Sequence, residues 1–440
     1  MRYAIVGAGA RAEMYVRALA DDRYPDAELV ALADVNPRRL VAYQRLLAEL
    51  GMRTLPAYQA NDFRLMLDKE QVDVAIVSTV DRTHDEYIVA ALEAGRDAIT
   101  EKPMTVDATR CRRILDAVRR TGRQVTVTFN YRYNPLHERV REVLSEGVIG
   151  EVGSVHFEWL LDVRHGADYF RRWHREKANS GGLLVHKASH HFDLVNWWLG
   201  AEPVEVHAFG RLFFYGDSAG ARHGYARDYE RAHGAAAAAD DPFALHLAAF
   251  PRMRELYLEA EAEDGYLRDR NVFAPGVTIE DDMAVLVRYS TGATMTYHLT
   301  AYAPWEGYRV AFNGSRGRLE LDVVTSDHVS PAAAGDIAGA VHGGAAEKGS
   351  VRLQVREFWR PPRDIEISGY ARAGHGGADA RMTAVLFGGP DQPPDPLTRT
   401  ATERDGALSL LTGLAANAAL ESGRPVRVAD VLDLSTNPEA

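Results

Sequence analysis

Cysteine is almost missing from this chain. Cys111 is the single one in 440 residues, which excludes an intrachain disulfide framework and any cysteine-rich zinc centre. No apolar run reaches the roughly 18 residues that a membrane-spanning helix needs. Positive charge is also short: 51 Lys and Arg against 62 Asp and Glu leave a net charge of -11. That balance is opposite to the basic footprint of a nucleic-acid binder. Met1-Arg2 leads directly into Tyr3-Ala-Ile-Val6, without the basic-then-apolar layout of an export signal. These shortages lead us to expect a cytoplasmic protein that meets neither membrane nor nucleic acid. What is present is ordinary globular composition, 46% apolar and 26% charged. The length suits two or three domains of roughly 150 residues each.

The strand-like run Tyr3–Val6 stops at Gly7-Ala-Gly9-Ala10-Arg11-Ala12, and a helix-compatible stretch follows from Glu13 to Leu19. Strand, glycine turn and helix in that order suit a dinucleotide pyrophosphate. Gly7 permits the tight turn, Gly9 lets the backbone approach phosphate, and the helix N-terminus offers free N–H groups. Ala12 replaces the third glycine, as the motif allows. The next strand, Leu29–Ala33, ends at Asp34. A carboxylate there accepts hydrogen bonds from the adenosine ribose hydroxyls and repels a 2′-phosphate, which favours NAD. The competing role for Asp34 is the N-cap of the helix that begins at Asn36-Pro37. Arg38 and Arg39 lie near enough to admit NADP.

Further strands are expected at Val72–Val77, Asp97–Thr100 and Val125–Phe129. Helices are expected at His84–Ala94 and Ala108–Thr121. Such alternation means a parallel sheet with both faces covered, whose ligands bind beyond the carboxyl ends of the strands. Those ends carry Asp34, Ser78-Thr79, Glu101-Lys102-Pro103 and Asn130-Tyr-Arg132.

Four segments together resemble the Gfo/Idh/MocA family of sugar and polyol oxidoreductases, and the resemblance spans nearly the whole chain. They are the glycine turn, Glu101-Lys102-Pro103, Phe129-Asn-Tyr-Arg132, and Gly181-Gly-Leu-Leu-Val-His-Lys-Ala-Ser-His190-His-Phe-Asp193. The resemblance implies NAD or NADP held by Gly7, Gly9, Ala10, Arg11, Ala12, Asp34, Thr79, His84, Glu101, Lys102 and Asn130. It places Lys102 at the junction of nicotinamide and substrate, often with a cis bond between this lysine and Pro103 that aims the side chain into the site. Desolvation there lowers a lysine pKa towards a range useful for proton transfer.

His190 matches the family histidine and Asp193 a later aspartate. On one helix, positions 186, 190 and 193 would share a face. His190 suits acid/base work beside Lys102. His186 stands where the family has an aspartate, and is expected as a catalytic relay or a substrate contact. Arg132, Trp173 and Lys187 complete the expected substrate contacts with Lys102, His186 and His190. Aromatic and basic groups suit the C–H faces and hydroxyls of a sugar. A zinc site on His186, His190, His191, His174 or Asp193 lacks the glutamate of the usual motif and has Lys187 beside it, so no metal is expected.

From Val152 onward, strands alternate in period two, as in a mainly antiparallel sheet with one covered face. The resulting expectation is an α/β Rossmann-type domain with a parallel sheet (1–128), and an α+β domain with a large, mainly antiparallel open sheet (129–400). Residues 401–440 would return to the nucleotide domain, with an amphipathic helix at Asp405–Glu421. Within the long excursion 215–280, Ala244–Glu263 reads as a helix. Ser330–Gly349 reads as a loop, and His375–Asp379 as a loop near the site. By resemblance, the open sheet face packs against another subunit in a homodimer or homotetramer.

The expected activity is hydride transfer between a sugar, glycoside or cyclitol carbon and the nicotinamide. The alternatives are redox-assisted glycoside cleavage with recycled NAD, and a non-catalytic, NAD-binding sugar sensor.

Overall fold

The computed structural model describes residues 1–329, 348–370, 375–389 and 393–435. Most of the expected 330–349 loop lies outside these residues. Six of the seven strands of the first sheet come from the N-terminal part: β1 (Arg2–Val6), β2 (Glu28–Asp34), β3 (Ala57–Gln59), β4 (Val74–Val77), β5 (Asp97–Thr100) and β6 (Val125–Val127). They run parallel in the order β6-β5-β4-β1-β2-β3. Ala4, Ile5, Val6 and Val74–Val77 are buried, because helices cover both faces of the sheet. The strand order reverses beside β1, which opens a crevice at the carboxyl ends of β1 and β4.

Local chemistry sets the helix ends. Asn36 accepts a hydrogen bond from the Arg38 amide and caps Pro37–Glu49. The cap is therefore Asn36, and the N-cap alternative for Asp34 falls away. Asp107 caps Ala108–Thr121, which ends at Gly122 with φ +65°.

The second sheet contains β7 (Val152–Asp162), β8 (Pro203–Arg211), β9 (Asp282–Tyr289), β10 (Thr294–Ala303), β11 (Glu306–Gly314), β12 (Gly317–Ser326), β13 (Ser350–Glu357) and β14 (Arg363–Asp364). Their order is β14-β13-β12-β11-β7-β10-β9-β8, and only the β7–β10 pair is parallel among the described residues. Met283, Val285, Val287 and Tyr289 of β9 point inward in strict alternation. Phe209 and Leu286 stay exposed on the outer face. Two short strands come from the C-terminal part. β15 (Ala401–Thr402) pairs antiparallel with β6, and β16 (Val426–Arg427) pairs with β8.

Three expectations change. Ala244–Glu263 is not one helix. It consists of a 3₁₀ turn at Leu247–Ala249, a short helix at Pro251–Met253, a π turn at Arg254–Leu258 and a last turn at Glu261–Asp264. Pro251 has no N–H to give to the preceding turn, so the helix cannot run through it. The helix Glu403–Ser422 is buried around most of its circumference rather than along one stripe. Gly413 shows why: a Cβ there would stand 2.3 Å from the Leu184 carbonyl oxygen, so only glycine permits the approach. Finally, His186 and His190 do not share a helix. Leu183–His186 ends at Lys187, and Ala188–Leu199 starts afresh.

Candidate active site

The glycine turn lies at the carboxyl end of β1. Gly7 has φ +95°, and a Cβ there would meet the Ser78 backbone at 2.6 Å, so the turn requires glycine. Asp34 Oδ2 accepts from the Ala8 amide at 2.6 Å, and Oδ1 from the Asn36 amide at 2.7 Å. Arg39 lies 3.4 Å from Asp34 and 2.7 Å from Asp264. Burial pushes the Asp34 carboxyl up against the lowering effects of Arg39 and the two amides. Tyr257, from the 215–280 excursion, accepts from the Ala10 amide at 3.0 Å. Tyr43 donates to the Gly9 carbonyl at 2.6 Å. The excursion thus roofs the turn.

The next strand ends supply a latch. Glu101 Oε1 accepts from Arg11 at 2.6 Å and from the Tyr15 hydroxyl at 2.7 Å. Asn130 donates to Asp379 at 2.8 Å, and Arg11 also reaches that carboxylate at 3.3 Å. Asp379, expected in a loop, lies instead in the first turn of the helix Ala378–Phe387, and there it does meet the site. His84 lies between the carbonyls of Pro103, at 2.9 Å, and Thr79, at 3.2 Å. It ties two strand ends together, and burial lowers its pKa. The Lys102–Pro103 bond is cis.

Lys102 Nζ lies 3.1 Å from the His186 carbonyl oxygen and 3.3 Å from His186 Nε2. His186 Nδ1 lies 2.5 Å from Asp81 Oδ2, and Asp81 is buried. The arrangement follows simply if Nδ1–H donates to Asp81, leaving the Nε2 lone pair facing Lys102. Burial lowers the Lys102 pKa to about 8, although Asp81 acts to raise it and Lys187 lowers it further. Burial, then Lys102, holds His186 well below its usual value.

One cavity of about 630 Å³ joins these parts. Gly7, Gly9, Ala10, Arg11 and Asp34 line its nucleotide end, and Thr79, His84, Glu101, Lys102 and Asn130 its middle. Trp173, His186, Lys187 and His190 line the far end. His190 stacks on Tyr131, with ring centres 4.2 Å apart. Ala12 starts the helix behind the turn and is buried away from the cavity lining.

Arg132, expected to touch substrate, is turned away. It pairs with both oxygens of Asp193, at 2.8 and 2.6 Å, and with Asp405 at 3.0 Å. Asp193 thereby serves the C-terminal helix rather than the cavity. His191 is likewise in the sheet core, stacked on Trp159 at 4.0 Å and bonded to Tyr297 at 2.7 Å. A larger concavity, about 740 Å³, lies on the outer face of the second sheet and contains none of these residues.

The reading of the sequence missed Asp81 and Tyr257, whereas Arg172 belongs to the aromatic and basic stretch Asp168–His174 that suits a sugar and does line the cavity. Asp81 follows a strand end that was already marked as ligand-facing, and that position was the available signal. Tyr257 had none, because its approach depends on the broken helix.

A Rossmann crevice continuous with a lysine–histidine pocket defines an oxidoreductase with a nicotinamide dinucleotide. The groups present fit it. The turn requires glycine, the Asp34 carboxylate lies beside it, and the cavity runs unbroken to Lys102. Residues 1–129 match the domain described as "Oxidoreductase family, NAD-binding Rossmann fold", and residues 141–428 its "C-terminal alpha/beta domain". The chain belongs to the Gfo/Idh/MocA family.

It is 32% identical to the YteT protein of Bacillus subtilis over 421 residues, 91% of each chain. It is 31% identical to inositol 2-dehydrogenase of Rhizobium meliloti over 210 residues, 47% of this chain and 58% of that one. A solved NAD binding oxidoreductase from Klebsiella pneumoniae shares the fold, with a TM-score of 0.65 at 18% identity, covering 97% of this chain and 98% of the other. No helix among the described residues is long and apolar enough to cross a membrane.

Proposed function

We propose that the protein is an NAD(P)-dependent dehydrogenase acting on a hydroxyl carbon of a sugar, glycoside or cyclitol. NAD is the preferred cofactor. The observation that carries this is the single cavity linking the Gly7–Arg11 turn to Lys102, His186 and His190. The match to an inositol 2-dehydrogenase supports a polyhydroxylated substrate.

The bound nicotinamide supplies the hydride acceptor. The residues of the chain manage the proton. A neutral Lys102 amine has two N–H bonds and one lone pair. One N–H points to the His186 carbonyl oxygen and the other to Nε2. The lone pair is then left for the substrate hydroxyl proton. Asp81 holds the His186 ring and its tautomer. His190, braced by Tyr131, contacts the reacting oxygen from the other wall. Trp173 offers an apolar face to the sugar, and much of the rate comes from holding carbon against the ring. The outer sheet face, with Phe209 and Leu286 exposed, is the proposed contact between subunits of a homo-oligomer.

The test is a panel of sugars, glycosides and cyclitols with NAD and NADP, followed by reduced-nicotinamide absorbance and product mass. Reduced nicotinamide with an oxidised sugar supports the reading. Glycoside cleavage without net reduction replaces it with redox-assisted elimination, the alternative that the histidine at position 186 brings in. Ligand binding with no turnover of any carbohydrate replaces it with a sensor.

A further inference from the structure

Lys187 has no role in the proton scheme above, yet it is an ammonium only 5% exposed on the cavity wall. Its hydrogen bond is to the Tyr131 hydroxyl at 3.1 Å, and the Trp159 and Tyr131 rings lie 5.0 and 5.5 Å away. No carboxylate forms an ion pair with it among the described residues. Burying a cation without a counter-charge is costly, and such groups are normally paired.

The carboxylates around the cavity are already committed. Glu101 holds Arg11, Asp81 holds His186, and Asp34 and Asp264 share Arg39. Nearby, Asp168 alone serves three guanidiniums: Arg268 at 2.7 Å, Arg172 at 3.0 Å and Arg171 at 3.5 Å. Arg172 also faces the cavity. Among the described residues, the substrate end therefore carries more positive charge than the carboxylates there neutralise.

The geometry points to a substrate bearing its own carboxylate, a sugar acid of the hexuronate type, whose anionic group pairs with Lys187 in the cavity that Arg172 also lines. This rests on the dehydrogenase reading and names its substrate class. A carboxylate suits the donors better than a phosphate ester does. Lys187 is a point donor and the Arg172 fork is partly spent on Asp168, so there is no cradle of amides or free guanidinium for three phosphate oxygens.

The test uses the full chain with NAD and matched probes: D-glucuronate, D-galacturonate, D-glucose, D-galactose and D-glucose 6-phosphate. A buried charge-assisted contact predicts kcat/KM for the hexuronates roughly tenfold to hundredfold above the matching hexoses. Lys187→Met lowers the hexuronate-to-hexose ratio by a similar factor, and Lys187→Arg restores part of it. Equal or better use of the hexoses overturns the inference. So does an unchanged ratio in Lys187→Met, or a preference for the phosphate ester.

Should none of these probes be turned over, the dehydrogenase reading is decided separately by the wider panel above, and binding decides this one. Calorimetric titration of D-glucuronate into Lys102→Met loaded with NAD then shows heat that adding Lys187→Met removes. Absence of that heat, or its survival in the double variant, overturns the inference.

Discussion

Replacing Asp81 by Asn keeps the shape of the side chain and removes the carboxylate that faces His186 and Lys102. Burial pushes the pKa of that carboxyl well up, while Lys102 and Arg172 pull it down. Two consequences follow with defined signs. The Asp81 carboxylate acts to raise the Lys102 pKa, which burial has brought down to about 8. If neutral Lys102 is the base, kcat/KM for oxidation rises about tenfold between pH 7 and pH 9 in the native enzyme. Without the carboxylate, the midpoint of that rise moves to lower pH. At the same time the 2.5 Å contact that fixes the His186 ring loses its charge. A charge-assisted hydrogen bond contributes roughly 1.5–3 kcal/mol, so the high-pH plateau falls about tenfold to hundredfold. The assay is a pH series of initial rates by reduced-nicotinamide absorbance, with circular dichroism to confirm the fold. A midpoint that stays put or moves up, with an unchanged plateau, refutes the relay.

Three further outcomes are expected. Asp34→Asn keeps an oxygen for the Ala8 amide but loses the charge, so the NAD-to-NADP preference in kcat/KM falls about tenfold or more. Arg132→Leu leaves Asp193 buried and unpaired, and costs about 3–5 kcal/mol in urea unfolding if the pair is structural rather than substrate-binding. Leu286→Asp puts a charge on the exposed outer sheet face and shifts the sedimentation coefficient towards a monomer if that face joins subunits.

The parallel sheet was legible where its strands are buried apolar runs, as in β1, β2 and β4, separated by helices with clear caps such as Asp107 and Gly122; β3, with Ala57 and Gln59 exposed, gave no such signal. The site was legible where backbone and chain order alone determine it, as at Gly7 and at the ends of β4 and β5. Side-chain direction was not. Arg132 follows Asn130 by two residues in the same 3₁₀ turn, yet one side chain reaches Asp379 beside the cavity and the other turns to Asp193. Nor was the Asp81–His186 contact, because 105 residues separate the partners. The excursion was misread at Pro251, where an otherwise helical composition outweighed one missing N–H.

The proposed function requires a nicotinamide near Lys102, in the same cavity that Trp173 lines. Titration of the purified chain with NADH, exciting tryptophan and recording reduced-nicotinamide emission, tests this directly. One saturable site per chain, with transfer weakened in Trp173→Phe, is the predicted result. No uptake of either NADH or NADPH would contradict it.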